Sequence, residues 1–213
     1  MASSKALQLQ AMVSALALVL VLISLFPHSE GCIAADESNN YGRIKFHRVS
    51  HYSFFPGAPR WPPSKYSLTY NFPSGFPQDK VGAVVAAFNE WDSKTKFSFT
   101  RVANNVRADI TISFQRGNHG DGYPFDGPGG VLAHAFAPTD GRLHLDGDDR
   151  YAVGAVPGNF DTSSVVVHEI GHIMGLGHSN DPQAIMYPYI NDGVVKATLQ
   201  QDDLNGIRAL YGP

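Results

Sequence analysis

Between Val167 and Ser179 the chain reads V-H-E-I-G-H-I-M-G-L-G-H-S, and few folds can satisfy that run. His168 and His172 lie four apart, so on a helix both imidazoles project from one face and can meet one cation. Glu169 sits about 100° further round the helix, too far aside to share that cation but well placed against water beside it. Gly175 can take the left-handed conformation that ends a helix, and the Gly-Leu-Gly turn returns His178 as a third nitrogen ligand. Three neutral imidazoles with one open position describe a catalytic zinc site, whereas a structural site is closed by a fourth ligand.

A bare H-E-x-x-H also arises on amphipathic helices as two surface histidines flanking an acid. The longer H-E-x-x-H-x-x-G-x-x-H fixes a glycine, a third histidine and two spacings as well, and with a following methionine turn it is the metzincin signature. Met186, in the A-I-M-Y-P segment after His178, supplies the turn methionine. Taken alone it would be ordinary core filler.

The 213 residues suffice for one sizeable hydrophobic core. A net charge of −3 with 16% charged residues offers no basic face for nucleic acid. Lys5 precedes an uncharged apolar run from Ala11 to Phe26, and small residues follow at Gly31, Ala34 and Ala35, the pattern of a secretory leader cut after Ala34 or Ala35. That run is shorter than the ~20 residues that usually span a bilayer, so residues 1–34 are expected to be a signal peptide and not a membrane anchor. The C-terminus lacks the apolar tail of a lipid-anchored protein, and no N-glycosylation sequon is present. The only cysteine, Cys32, falls at this boundary. A secreted domain without internal disulfides needs another staple, and bound metal can serve.

Residues 35–50 are polar and unpatterned, which predicts a short flexible segment before a single domain over 51–213. Tyr52 to Pro63, rich in proline and aromatics, reads as an extended strap on a surface. Strands are predicted over 67–72, 97–102, 109–114, 131–136 and 142–145. A helix over 80–91 carries the apolar stripe Val81, Val84, Val85, Phe88 and Trp91, and the histidine helix spans 162–174. A final helix opens at Thr198 with Gln201 as a capping box and buries Leu204, Ile207 and Tyr211. The glycine-rich loop 116–130 is too long for an idle connection.

That loop and the strands after it carry a second set of ligand types. His119, Asp121, His134 and His144 offer three nitrogens and one oxygen, a filled shell that suits structural zinc. Phe125-Asp126-Gly127-Pro128-Gly129-Gly130, with Asp146 and Asp149, offers hard carboxylates and glycine carbonyls of the kind calcium takes. For any single aspartate, capping of backbone N–H groups is the plainer reading.

From about His51 to Pro213 the chain resembles the catalytic domain of a matrix metalloproteinase, or matrixin, and is most similar to the plant branch. The residues that carry the resemblance are H-G-D at 119–121, P-F-D-G-P-G-G at 124–130, L-A-H-A-F-A-P at 132–138 and H-L-D at 144–146. The zinc motif, Met186-Tyr187-Pro188 and Q-D-D-L-N-G-I at 201–207 complete it. The fold this implies is α+β, a twisted, mostly parallel five-stranded sheet with three helices and an active-site cleft along the edge strand. It implies catalytic zinc on His168, His172 and His178 with Glu169 as base, and structural zinc on His119, Asp121, His134 and His144. It implies calcium on Asp126, Asp146 and Asp149 with the carbonyls of Gly127, Gly129 and Val131.

The implied activity is a secreted endopeptidase cutting extended polypeptides, a monomer met by proteinaceous metalloprotease inhibitors. Its place is extracellular, the apoplast or cell-wall space in a plant. The rival is a secreted zinc- and calcium-binding protein that keeps the scaffold without activity; intact Glu169 argues against it. A weaker rival is a zinc peptidase of another clan with a glutamate as third ligand.

The chain departs from the family pattern in several places. Asp149 stands where the family has Glu, the segment between Pro138 and His144 is short, and the Pro-x-Tyr wall of the specificity pocket reads Pro188-Tyr189-Ile190. A second calcium on Asp109 and Asp140 is not expected. The family's P-R-C-G-x-P-D latency segment has no counterpart, since Cys32 sits in E-G-C-I-A. Secretion without zymogen control and an abbreviated gene product are both compatible with that.

Overall fold

The computed structural model describes residues 32–35 and 51–213. The leader expected over 1–34 and the flexible segment expected over 35–50 lie outside the described residues, apart from 32–35. In chain order the elements are β1 (Cys32–Ala35), β2 (Ser67–Asn71), α1 (Val81–Asp92), β3 (Ser98–Arg101), β4 (Ile110–Gln115), β5 (Val131–Ala135) and β6 (Arg142–Asp146). There follow β7 (Tyr151–Ala152), β8 (Phe160–Asp161), α2 (Thr162–Ile173), β9 (Tyr189–Ile190) and α3 (Gln201–Tyr211). Single 3₁₀ turns at Pro63–Lys65 and Gln78–Lys80 join them.

The sheet runs β3-β2-β4-β6-β5 and continues through the short strands β1 and β9. The five-stranded core is parallel except at β5, which pairs antiparallel with β6. This is the mostly parallel five-stranded sheet with three helices that the resemblance implied. Parallel strands need long crossovers, and α1 supplies the one between β2 and β3. The predicted strand limits hold to within one residue at each end.

Helix α1 buries Ala83, Val84, Ala87, Phe88 and Trp91. Val81 and Val85, placed in the predicted stripe, are only half-buried because the packed face is centred on the two alanines. Trp91 donates its indole N–H to the Val167 carbonyl at 2.8 Å, locking α1 against α2. The strap before β2 is not merely superficial, for Phe55 and Trp61 are buried. Trp61 Nε1 donates to the Ile173 carbonyl at 2.9 Å, and Tyr211 Oη donates to the Met174 carbonyl at 2.7 Å.

The N-cap of helix α3 lies two residues later than predicted. Its capping box is formed by Gln200 and Asp203, not by Thr198 and Gln201, because the buried Asp203 carboxylate accepts the Gln200 backbone N–H at 2.8 Å. It buries Ile207, Leu210 and Tyr211, while Leu204 stays half-buried at its flank. Among the described residues no helix is long and apolar enough to cross a membrane.

Candidate metal centres and cleft

Helix α2 begins on Asp161, whose carboxylate accepts from Ser164 N at 2.9 Å and from Ser164 Oγ at 2.7 Å. It ends in a Schellman turn, with Gly175 N–H on the His172 carbonyl and Leu176 N–H on the Gly171 carbonyl. Gly175, at φ 96°, occupies the left-handed position that turn requires. The turn brings His178 to the two helical histidines, and ligand atoms of His168, His172 and His178 lie within 4.8 Å of one another.

The hydrogen bonds around these rings assign their tautomers. His168 Nδ1 donates to the Ile185 carbonyl at 2.7 Å, and His172 Nδ1 donates to the Leu176 carbonyl at 2.8 Å. Each Nε2 therefore presents a lone pair, yet the Nε2 atoms of these two fully buried rings stand 3.0 Å apart. Two lone pairs so close repel unless a cation lies between them, which is the condition a metal meets. Burial, with the neighbouring imidazoles, pushes His168 well below the usual imidazole range; burial, with His178, lowers His172 to about 3. Neutral rings are what metal ligation needs. Glu169 is fully buried on the same helix, and His178 is the half-buried member of the set.

The Ile185 carbonyl that orients His168 belongs to the turn carrying Met186, and that turn is held from below. Asp203 accepts the Ile185 N–H at 2.9 Å and the Met186 N–H at 3.0 Å. Met186 packs on Gly171, where an added Cβ would overlap its Sδ outright and stand 3.0 Å from its Cε. Asp203 and Gly171 thus position the site, and neither stands out in the sequence. Both lie inside motifs noted for other residues, Asp203 in Q-D-D-L-N-G-I and Gly171 in H-E-I-G-H.

A second tight grouping contains His119, Asp121, His134 and His144. His134 and His144 face one another directly across β5 and β6, so the pleat sends both rings to one side. His119 and Asp121 reach them from the loop. Asp121 Oδ2 lies 2.7 Å from His119 Nε2, 2.8 Å from His134 Nε2 and 3.0 Å from His144 Nδ1. His119 Nδ1 donates to the Gly117 carbonyl at 2.9 Å, so its Nε2 too turns a lone pair inward. Burial lowers His134, and burial with the neighbouring His134 lowers His144 to about 4. Burial raises Asp121, but the Tyr123 N–H and His134 outweigh it and hold the carboxyl below its usual range. Three imidazole nitrogens and one carboxylate around one point fit a divalent cation.

The aspartates of the third set also meet, more loosely. Asp146 Oδ2 and Asp149 Oδ2 are buried without a hydrogen-bond partner among the described residues. Burial raises both carboxyls, and the charge of Asp126 raises both further. Asp126 is exposed, accepts the Val131 N–H at 3.2 Å, and leaves Gly130 no space for a side chain. Gly129 donates its N–H to Asp149 at 2.7 Å. Orphaned oxygens and mutual repulsion are relieved by a hard cation. By contrast, Asp109 is engaged by Lys65 and by Thr69 N and Oγ1 at 2.9 Å, and Asp140 forks onto Arg142 at 2.7 and 2.8 Å. Internal cations already satisfy that pair.

Beyond β5 a cavity of about 560 Å³ is lined by Phe55, Tyr123, Phe136 and Pro138, with Asp140 and Arg142 among its charged residues. Arg142 stacks on Phe136 at 3.8 Å, and Phe55 meets His172 edge-on at 5.5 Å.

Comparison with known proteins agrees with this geometry. The chain is 45% identical over 182 residues to Metalloendoproteinase 2-MMP of Arabidopsis thaliana, covering 81% of this chain and 48% of that protein. It is 46% identical over 182 residues to Metalloendoproteinase 1 of Glycine max, covering 82% of this chain and 60% of that one. Matrix metalloproteinase-20 of Homo sapiens is 44% identical over 173 residues, which cover 78% of this chain and 35% of the human protein. The chain thus spans about half the length of the plant relatives it matches. With residues 60–212 matching the matrixin family model, and with its histidine helix, returning third histidine and methionine turn assembled as described, the chain belongs to the matrixin family.

Proposed function

We propose that this protein is a secreted zinc endopeptidase that hydrolyses internal bonds of extended extracellular polypeptides. The observation that carries the reading is the convergence of two Nε2 lone pairs 3.0 Å apart on α2, with Glu169 on the same helix. His168, His172 and His178 would hold the metal. Zinc bound there supplies Lewis acidity that polarises the scissile carbonyl, acidifies water and stabilises the tetrahedral oxyanion.

Glu169 takes the proton of the attacking water and hands it to the leaving amine. Its burial keeps the carboxylate out of bulk solvent, where proton transfer is easier to direct. The backbone of β5 pairs with an extended substrate, and the cavity at its far end receives an apolar side chain. Likeness to the family adds a preference for a bulky apolar residue after the cut. His119, Asp121, His134 and His144 hold a structural zinc in this reading. Asp126, Asp146 and Asp149, with the carbonyls of Gly127, Gly129 and Val131, hold a calcium.

The test is turnover of a fluorogenic apolar peptide with and without a zinc chelator, in the parent and in Glu169→Gln. The expected result is a chelator-sensitive parent and a variant that binds zinc normally while kcat falls by several powers of ten. Near-parental turnover in Glu169→Gln removes that residue from its role.

A further inference from the structure

Six large apolar side chains are exposed among the described residues, and five of them sit on two segments that touch. Val153 and Val156 lie on the loop between β7 and β8, while Tyr189 lies on β9 and Val194 and Val195 on the loop after it. Exposed valines scattered singly are ordinary, but a contiguous group of them marks an interaction surface. Gly193 donates its N–H to the Asn159 carbonyl at 2.9 Å, and an added Cβ there would stand 3.4 Å from Pro157 Cα. Gly158 donates its N–H to the Asp192 carboxylate.

Both loops are also tied to the histidine helix. Asp161, the cap of α2, accepts the Gly154 N–H at 2.7 Å in addition to Ser164, and Ser164 Oγ in turn accepts the Lys196 N–H at 2.7 Å. Asp161 and Ser164 are buried, so the first turn of α2 holds the two apolar loops in place. A surface fixed in advance binds without the ordering cost that a loose loop carries.

The chain runs directly from the metal site to this surface: Ile185 orients His168, and two residues on, the Tyr187 ring meets that of Tyr189 at 5.6 Å. The surface is also nearly without charge. Residues 151–160 and 186–195 contain one charged side chain, Asp192, which Gly158 engages. The flanking cations are Arg150 and Lys196, and Lys196 directs its ammonium to the Pro182 carbonyl at 2.9 Å. An anionic lipid surface is held by clustered lysines and arginines, which these loops lack. An apolar polypeptide segment requires none.

We propose, on the endopeptidase reading, that these loops form a platform for an apolar segment of the substrate polypeptide lying outside the cleft. Chains that carry such a segment to one side of the scissile bond are then the preferred substrate class. Tyr189 joins the platform to the metal site, and the four valines are the part that only a longer substrate reaches.

The experiment uses the full chain with saturating zinc and calcium. Turnover of a short apolar fluorogenic peptide is compared with that of longer versions, extended at either end by a segment of valine and leucine or by one of serine and glycine of equal length. The expected result is that the apolar extension at one end lowers KM relative to the serine-glycine one, on the order of tenfold, with kcat little changed. Val153→Ser with Val156→Ser, and separately Val194→Ser with Val195→Ser, should each diminish that advantage while kcat/KM for the short peptide stays parental. Should one pair fail to fold, the other pair and the parental comparison still decide. Equal KM for apolar and polar extensions overturns the proposal, as does an advantage that survives both pairs of substitutions. Co-sedimentation with phosphatidylcholine or phosphatidylserine vesicles, abolished by the same substitutions, would make the occupant a membrane and overturn it too. A parent that leaves the short peptide uncut removes the endopeptidase reading and the platform with it, whereas cutting without any gain from extension removes the platform alone.

Discussion

Gly171 is the position at which the metal helix and the methionine turn are pressed together, and its replacement tests how the site is supported. In Gly171→Ala the new methyl would overlap Met186 Sδ and stand 3.3 Å from Trp91 Cζ2. Carbon and sulfur settle at about 3.5–4 Å, so Met186 must retreat by more than about 1 Å. It has nowhere to go, since Met186 and Trp91 are both buried. Overpacking of this kind costs about 1–3 kcal/mol, while alanine's better helix propensity returns up to ~1 kcal/mol. The net loss expected is about 1–2 kcal/mol. Met186→Ala alone should cost about 2–5 kcal/mol by leaving a void. In that background the methyl added by Gly171→Ala meets no sulfur and partly fills the void, so the double variant should be more stable than the sum of the singles predicts by about 1–3 kcal/mol. Urea midpoints at constant m, with zinc and calcium saturating, measure the cycle. Strict additivity within about 0.5 kcal/mol would refute the claim that these two residues define the contact.

Asp203→Ala leaves the N–H groups of Ile185 and Met186 unsatisfied in the core, at about 1–3 kcal/mol each. Because Ile185 also orients His168, zinc affinity should fall with stability, by about 10–100-fold in a competitive chelator titration. A variant that loses stability and keeps parental zinc affinity would separate the turn from the site. In metal-free protein, His172 titrates near 3 in the folded state against about 6.5 unfolded, and His168 is depressed as well. The unfolded chain binds more protons between those values, so stability should fall as pH drops from about 6.5 towards 3, read from urea midpoints across pH. A midpoint that rises on acidification through that window contradicts the neutral, buried assignment. Asp146 and Asp149 run the other way, since their folded carboxyls titrate higher than unfolded ones. Calcium-free protein should lose their contribution as pH rises above the ordinary carboxylate value near 4, and added calcium should abolish that slope in thermal melts.

What the sequence discloses and what it hides divide along the range of the interactions. His168 and His172 are legible because one helical turn fixes their geometry, and His178 because Gly175 allows only a sharp return. His134 and His144 are legible as strand residues, although their direct pairing needs the register of β5 on β6. Asp203 is hidden because its partners lie 17 and 18 residues away in another turn. The burial of Trp61 is hidden too, since its partners Ile173 and Tyr211 come from two other helices. The cap of α3 is misplaced from sequence because Thr198 and Gln201 match the capping-box pattern and Gln200 and Asp203 do not, and only the burial of Asp203 beneath the methionine turn puts the cap there. β1 is hidden for a different reason. A short apolar run after a leader-like stretch looks like part of the leader, and only pairing with β5 and β9 makes it a strand.

The three ligand sets are related through β5. Val131, at its start, hangs on Asp126; His134, near its end, points into the second histidine group; and α2 packs against its length. Strand β5 is where the core sheet would end, and such an edge is normally the part of a sheet most free to fray. No disulfide is available to brace it, since Cys32 is the only cysteine in the sequence. Cation ligation at the two sites outside α2 would pin the strand at both ends to loop 116–130 and to β6, holding straight the backbone edge that it turns away from β6. On this argument metals bound at those two sites would act on substrate affinity through the strand. Removing calcium at constant zinc should therefore raise KM before it lowers kcat, and loss of kcat alone would place calcium's influence on the histidine helix instead.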